Sequence, residues 1–205
     1  MITNYSDLKT TIANYLARSD LTAVIPDFIR LAEVRLRRNL RIRQMLKSAQ
    51  TLTTGGDSTV SLPTDFLELR TLFLNTNPVL DLQYMSPSLF NRNARVQESG
   101  IPIFYTILAN EFKFAPIPDS DYELQILYYG APEYLGDTVP SNEFLATCPD
   151  LILYGALIEA EPYLMNDART QVWASMFDRG LAALTAADDS SEHSGVPLQM
   201  KVSAR

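Results

Sequence analysis

Two pairs of acids are the places where this 205-residue sequence comes closest to carboxylate chemistry. They are Asp119 with Asp121 in "PIPDSDY" and Glu159 with Glu161 in "ALIEAEPY". Two carboxylates held close together can divide acid and base roles between them. The first pair falls in a proline-rich turn. The second falls in a helical pattern, where residues two apart diverge. Both read better as turn or interface acids than as a hydrolytic centre, so no catalytic residue is assigned. The chain has one histidine, His193, and one cysteine, Cys148. That rules out a zinc site built on several Cys and His ligands, and His193 sits in a polar tail, without the rigid shell that a catalytic histidine needs. Cys148 precedes Pro149 with no cation or histidine beside it to activate the thiol. Gly55-Gly56 is followed by Asp57 in a hairpin pattern and does not match a phosphate-binding loop. The sequence predicts no cofactor and no metal.

The other chemistry-bearing stretch is "RLAEVRLRRNLRIRQM", Arg30 to Met45, with six arginines and one acid. On a helical wheel Ile25, Ile29, Ala32, Leu36 and Leu40 make one apolar stripe. Arg30, Arg37 and Arg41 line up about 120° away, with Glu33 beside them at i+3 and i+4 spacing. Leu31 and Val34 fall opposite the stripe, where a surface helix is ordinarily polar. They mark a second packing surface, against a neighbouring subunit, or a solvated face with stray apolar residues. DNA binding is disfavoured, because Glu33 sits inside the basic patch and the chain is acidic overall.

Charge is divided unevenly. Residues 1–95 carry 12 basic and 8 acidic side chains, and residues 96–205 carry 5 basic and 16 acidic, giving +4 and −11 for a net −7. Such asymmetry points to a partner, either another molecule or another copy of the chain. The acidic half of a neighbour is a natural target for the arginine row, since a guanidinium pairs bidentately with carboxylate. An apolar fraction of 46% is ample for a core. The opening "MITNYSDLKTTIANYL" lacks the basic and apolar regions of a signal peptide, and no apolar run reaches the roughly 18 residues of a membrane span.

These residues must be positioned by elements the pattern discloses. Ser6 is expected to cap a first helix presenting Leu8, Ile12, Tyr15 and Leu16. A second helix, with Pro26 in its first turn, runs to about Leu40. From Gln50 the period changes to two. Thr51–Thr53 and Thr59–Leu62 are expected as a hairpin around Gly55-Gly56-Asp57. "ELRTLFLN" and "VLDLQYM" read as further strands, "SPSLFNRNARV" as a short capped helix, "PIFYTILANEFKFAPIP" as a second hairpin at Ala109-Asn110, and "YELQILYYG" as a last strand. Helical period returns with an element interrupted near Pro149 and bent or ended near Pro162. A final helix starts at Asn166, with Trp173, Phe177, Leu181 and Leu184 on one side. Leu151–Met165 is apolar nearly all round. It must be buried on nearly every side, by neighbouring subunits or as a central helix under the chain's own β-lobe.

The predicted fold class is α+β, an antiparallel helical bundle from N- and C-terminal helices with an inserted β-rich lobe and an extended C-terminal tail. The expected limits are 1–49 and 136–188 for the bundle, 50–135 for the insertion and 189–205 for a flexible arm. Within that arm Val196, Leu198, Met200 and Val202 alternate with polar residues. Period two over eight residues fits a strand that buries one face on a partner edge or groove.

The segments "LARSDLTAVIPDFIRLAEVRLRRNLRIRQM", "LPTDFLELRTLFLN", "GIPIFYTI", "FKFAPIPDSDYELQILYY" and "PDLILYGALIEAEPYLMNDARTQVWASMFDRGLAAL" together resemble tailed-phage head-to-tail adaptor (connector) proteins, also called tail tubular protein A in short-tailed phages. The resemblance covers Ser6 to Asp188. It implies a ring of twelve subunits beneath the portal protein, a downstream tail nozzle or tail-completion protein, DNA only as passing cargo, and no membrane. It places the protein in the virion neck, assembled in the host cytoplasm, and carries no enzymatic activity. Arg30, Leu31, Val34, Arg37, Arg41, Val196, Leu198, Met200 and Val202 are the expected interface residues. The rival readings are a generic oligomeric scaffold and a carboxylate-dependent hydrolase on Asp119 and Asp121.

Overall fold

The computed structural model describes residues 2–18, 20–165 and 169–192. In chain order the elements are α1 (Tyr5–Leu16), α2 (Ile25–Asn39), β1 (Leu46–Leu52), β2 (Thr59–Ser61), β3 (Phe66–Leu74), β4 (Leu80–Asp81), β5 (Gln83–Tyr84), α3 (Pro87–Phe90), β6 (Phe104–Leu108), β7 (Glu111–Ala115), β8 (Glu123–Gly130), α4 (Glu143–Thr147), α5 (Pro149–Tyr163) and α6 (Thr170–Glu192). The class is α+β. The chain divides into two compact units, Met1–Gln44 with Pro132–Arg205, and Met45–Ala131.

In the first unit, α1 begins two residues earlier than Ser6 predicts. Asn4 is the cap, its side chain accepting from the Asp7 amide at 2.8 Å, while Thr3 bonds back to Asp7. Asn serves as well as Ser at this position, and here Ser6 lies inside the first turn. Ala17 closes the helix in the left-handed region at φ 52°. Leu8, Ile12 and Leu16 are buried, but Tyr15 is exposed, its ring edge-on to Trp173 at 5.9 Å. On α2 the predicted stripe of Ile25, Ile29, Ala32, Leu36 and Leu40 is buried throughout, and Phe28 and Glu33 widen it.

Helix α5 is buried on nearly every side, with Leu151, Ile152, Leu153, Ala156, Leu157, Ile158 and Ala160 all enclosed. Most of that covering comes from α1, α2, α4 and α6 of the same unit, while Tyr163 and Met165 at its end stay exposed. Full burial of each large aliphatic contributes about 1.5–3 kcal/mol, so α5 is the organising element of the unit. Two residues set its neighbours' approach. A Cβ on Gly155 would lie 2.8 Å from the Ala32 Cβ of α2, and one on Gly180 of α6 would lie 2.8 Å from Leu151 Cδ2. Pro149 starts α5, where no amide is needed, and Pro162 falls in its last turn. In the described residues α6 starts at Thr170 and runs to Glu192, past the end expected at Asp188, whose carboxylate accepts from Arg43 N and Nε, both at 3.2 Å.

The second unit is two four-stranded sheets in the orders β1-β8-β3-β4 and β2-β7-β6-β5. Their core is Leu72, Leu74, Leu82, Tyr105, Phe112, Phe114, Leu124, Ile126 and Tyr128. The hairpin at Ala109-Asn110 forms as predicted, with Leu108 opposite Glu111 and Ala109 at φ 54°. The hairpin expected at Gly55-Gly56 does not. Thr51 and Thr59 flank that turn, but β1 pairs with β8 and β2 with β7. The turn is instead held by the "PDSD" loop, Gly55 N bonding Asp121 Oδ1 at 3.0 Å and Gly56 N bonding the Pro118 carbonyl at 2.8 Å. "VLDLQYM" likewise divides, β4 joining the first sheet and β5 the second.

Candidate assembly surface on the helical unit

The arginine row of α2 is largely satisfied within its own unit. The guanidinium carbons of Arg30 and Arg37 lie 2.8 and 3.2 Å from the ring centroid of Tyr134, well inside cation–π range. Arg37 Nη2 also donates to the Pro132 carbonyl. Burial depresses the Arg37 guanidinium's affinity for its proton, against which Tyr134 and Glu33 act as stabilising neighbours. Arg41 Nη1 donates to the carbonyls of Arg37 and Leu40 at 2.8 and 2.7 Å. It thereby satisfies acceptors that the end of α2 leaves open.

Glu33 is the acid of this group, and it faces inward rather than along the row. It is 1% exposed. Its Oε1 accepts from Asn142 Nδ2 at 2.7 Å and from Leu135 N at 3.0 Å. Asn142 in turn caps α4 through Leu145 N at 2.9 Å. One carboxylate therefore ties α2 to the loop at Leu135 and to the start of α4. Burial raises its proton affinity above the ordinary carboxylate value, and the bonds from Leu135 and Asn142 and the charges of Arg37 and Arg30 offset only part of this.

Leu31 and Val34 behave differently. Leu31 is 49% exposed and Val34 half-buried. With Arg35, Arg38 and Asn39 of α2, Glu159 of α5, and Phe177, Asp178 and Leu181 of α6 they line a groove of about 490 Å³. Within that lining Arg35 bonds Glu159 and lies 5.8 Å over the Phe177 ring. The groove thus brings apolar side chains of α2 and α6 together with charges of both signs.

The acid pairs do not form a common site. Asp119 accepts from the Tyr122 hydroxyl at 2.6 Å, Asp121 from Gly55, and Glu159 from Arg35. Glu161 is buried and accepts from Trp173 Nε1 at 3.1 Å. Cys148 is buried and its thiol pushed up to about 12, first by desolvation and then by Asp150. Among the described residues no group of three or more His, Cys, Asp and Glu is placed to share a metal ion. Nor is any helix of those residues long and apolar enough to cross a membrane. Val196, Leu198, Met200 and Val202, and His193, lie outside the described residues.

Sequence reasoning missed Tyr134, Asn142, Arg35 and Phe177 as members of these arrangements. Glu33 gave one signal, since its wheel position borders the core stripe. Tyr134 sits in an aperiodic loop and gave none.

A family model described as SU10 adaptor protein matches residues 3–201 of the chain. No curated protein matches it.

Proposed function

Because the chain belongs to the SU10 adaptor protein family, a family of phage structural adaptors, we propose that it is the ring-forming subunit that joins the portal to the tail and lines part of the DNA channel. The observation that carries this reading is the family match across residues 3–201, which takes in both compact units. The resemblance supports a ring of twelve, a portal protein on one side and a tail nozzle or tail-completion protein on the other. The role is structural and virion-borne, and no catalytic step is assigned to the chain.

A closed ring needs two different surfaces on each subunit, one to give and one to receive. The groove holding Leu31 and Val34 suits one of them, because apolar side chains on α2 are left half-covered there. The net charge of −7 suits a conduit, since a negative wall repels the phosphate backbone during passage. The direct test is electron microscopy of the purified protein mixed with its cognate portal. Rings seated on the portal are the expected result. A protein that neither binds portal nor forms rings overturns the reading.

Two variants refine it. Leu31→Asp with Val34→Asp should abolish ring formation yet leave the thermal transition within a few degrees, as solvent-facing substitutions change stability by about 0.5 kcal/mol each. Unfolding of the double variant would assign both residues to the monomer core. Arg30, Arg37 and Arg41 changed together to Gln should weaken assembly beyond any loss of thermal stability that follows from their contacts with Tyr134, Pro132 and the end of α2. Binding of the wild type to duplex DNA should stay at the non-specific level of about 10⁻⁴ to 10⁻⁶ M. Tight, sequence-selective binding that the triple variant loses would make the row a DNA contact.

A further inference from the structure

The four sheet edges of the β unit are not alike. β4 and β5 are two residues long and β2 is three. Short edges are a common way of preventing unwanted strand pairing. β1 is seven residues long, contains no proline, and pairs with β8 in unbroken register from Leu46–Tyr129 to Leu52–Glu123. The bond from Thr53 N to the Tyr122 carbonyl, at 2.9 Å, fixes the phase of that ladder. Counting back by two, Thr51, Ala49 and Lys47 direct their backbone groups to β8, so Leu46, Ser48, Gln50 and Leu52 direct theirs to the open edge. The side chains of Ser48, Gln50 and Leu52 are exposed and uncharged, Leu52 at 61%. Lys47, the strand's one charge, is held by Asp65 at 2.8 Å and does not guard the edge. Among the described residues, β8 is the only strand paired with β1.

An edge of this length without charge, proline or bulge is what strand addition requires. We infer that β1 accepts residues 196–203 of a neighbouring copy as an added strand, so that successive subunits are linked by exchanged strands. The occupant is chosen by pattern. Val196, Leu198, Met200 and Val202 alternate with Pro197, Gln199, Lys201 and Ser203, eight residues of period two against a seven-residue acceptor. The apolar set would continue the inner face that Ala49, packed against the core, begins. The polar set would share the outer face with Ser48 and Gln50. The strand is added parallel to β1, so that the residues opposite Ser48 and Gln50 turn their backbone groups away from it, and Pro197, which lacks an amide, falls where none is needed. The inference rests on the adaptor reading for the existence of a neighbour, and adds which strand meets which edge.

The test places cysteines in the full chain, Gln199→Cys combined in turn with Ser48→Cys, Gln50→Cys and Leu52→Cys. Side chains directly opposite on adjacent strands have Cβ atoms about 4.5–5.5 Å apart, wider than a relaxed disulfide but easily spanned by a short thiol-to-thiol cross-linker. Native Cys148 is buried and does not compete. After treatment with that cross-linker, with and without the cognate portal, denaturing gels should show a ladder of linked subunits for at least one pair. The Gln199→Cys variant alone should give no ladder. Adding Gln50→Pro to the Ser48 or Leu52 pair, which removes an edge amide and leaves the β8 ladder intact, should abolish the cross-link. Wild-type binding to the portal is scored separately by sedimentation. Portal binding with no ladder from any pair overturns strand exchange and leaves the adaptor role standing. A ladder without portal binding does the reverse. A cross-link confined to single chains shows that the segment pairs within its own subunit and overturns the exchange.

Discussion

Glu33→Ala should lower the stability of the helical unit by about 3 kcal/mol or more, measured as the midpoint of urea unfolding. The change leaves the buried Leu135 amide without an acceptor and removes one of two acceptors from the Asn142 side chain. Each buried donor left unsatisfied costs about 1–3 kcal/mol, and the truncated side chain leaves a void besides. Glu33→Gln should behave very differently. Its carbonyl oxygen can occupy the Oε1 position and accept from both donors, so the cost should fall below about 1 kcal/mol. The pH dependence separates the two forms further. Burial raises the Glu33 carboxyl in the folded protein, so the folded state holds that proton more tightly than the unfolded chain does. The stability gained in this way is complete below the unfolded value and is lost as pH rises through the raised folded value. The Gln variant should lack that slope. Equal losses for Ala and Gln would mean that shape, not hydrogen bonding, holds the Leu135 loop to α2.

Gly155→Val should be the most damaging single change in the chain. Glycine inside a helix costs about 1 kcal/mol relative to alanine, so Gly155→Ala would stabilise α5 if nothing stood near it. Ala32 Cβ stands 2.8 Å from the new atom, with Ala32 Cα and Phe177 Cε2 at 3.5 Å. The Ala32 Cβ is fixed to its helix and cannot swing aside, and overpacking costs typically about 1–3 kcal/mol. Alanine should therefore be destabilising despite its propensity. Valine adds two more methyl groups to the same gap, and the folded population should collapse in circular dichroism at physiological temperature. Ala32→Gly combined with Gly155→Ala should recover most of the loss of the single alanine variant, because the clashing pair is removed. A double variant no better than Gly155→Ala would place the conflict at Phe177.

The helical half was legible from the sequence because its signals are local. Ile25, Ile29, Ala32, Leu36 and Leu40 repeat at the helical period and are all buried, and Pro149 begins α5 where a first-turn proline belongs. The error there concerns a choice between equivalent chemistries, Asn4 against Ser6 as cap, and the covering of α5 stayed open because it depends on how many helices the unit brings together. In the β half, strands were visible and partners were not. The turn at Gly55-Gly56 has hairpin composition, yet its flanking strands diverge to separate sheets, because β1 finds its partner in β8, more than 70 residues later. Period two says that a strand exists and says nothing of which strand lies beside it. The Arg30–Tyr134–Arg37 arrangement was hidden for a related reason. The wheel aligned the arginines correctly, but the ring between them comes from a loop about 100 residues further on.

The pairing of Leu46 with Tyr129 bears on how this protein can change over generations. The chain crosses between its two units twice, at Gln44–Met45 and at Ala131–Pro132. Leu46 and Tyr129, close to those crossings, are directly opposite in the β1–β8 ladder. They form the narrower kind of antiparallel pair, with Cα atoms about 4.5 Å apart. A segment whose two ends meet that closely is portable. In genetic terms residues 45–131 form a cassette that recombination can lengthen, trade or replace by a short turn, while the helices on either side keep their reading frame and their packing around α5. The helical unit is then the inherited frame, and the cassette is the part through which one lineage can be fitted to a different neighbour.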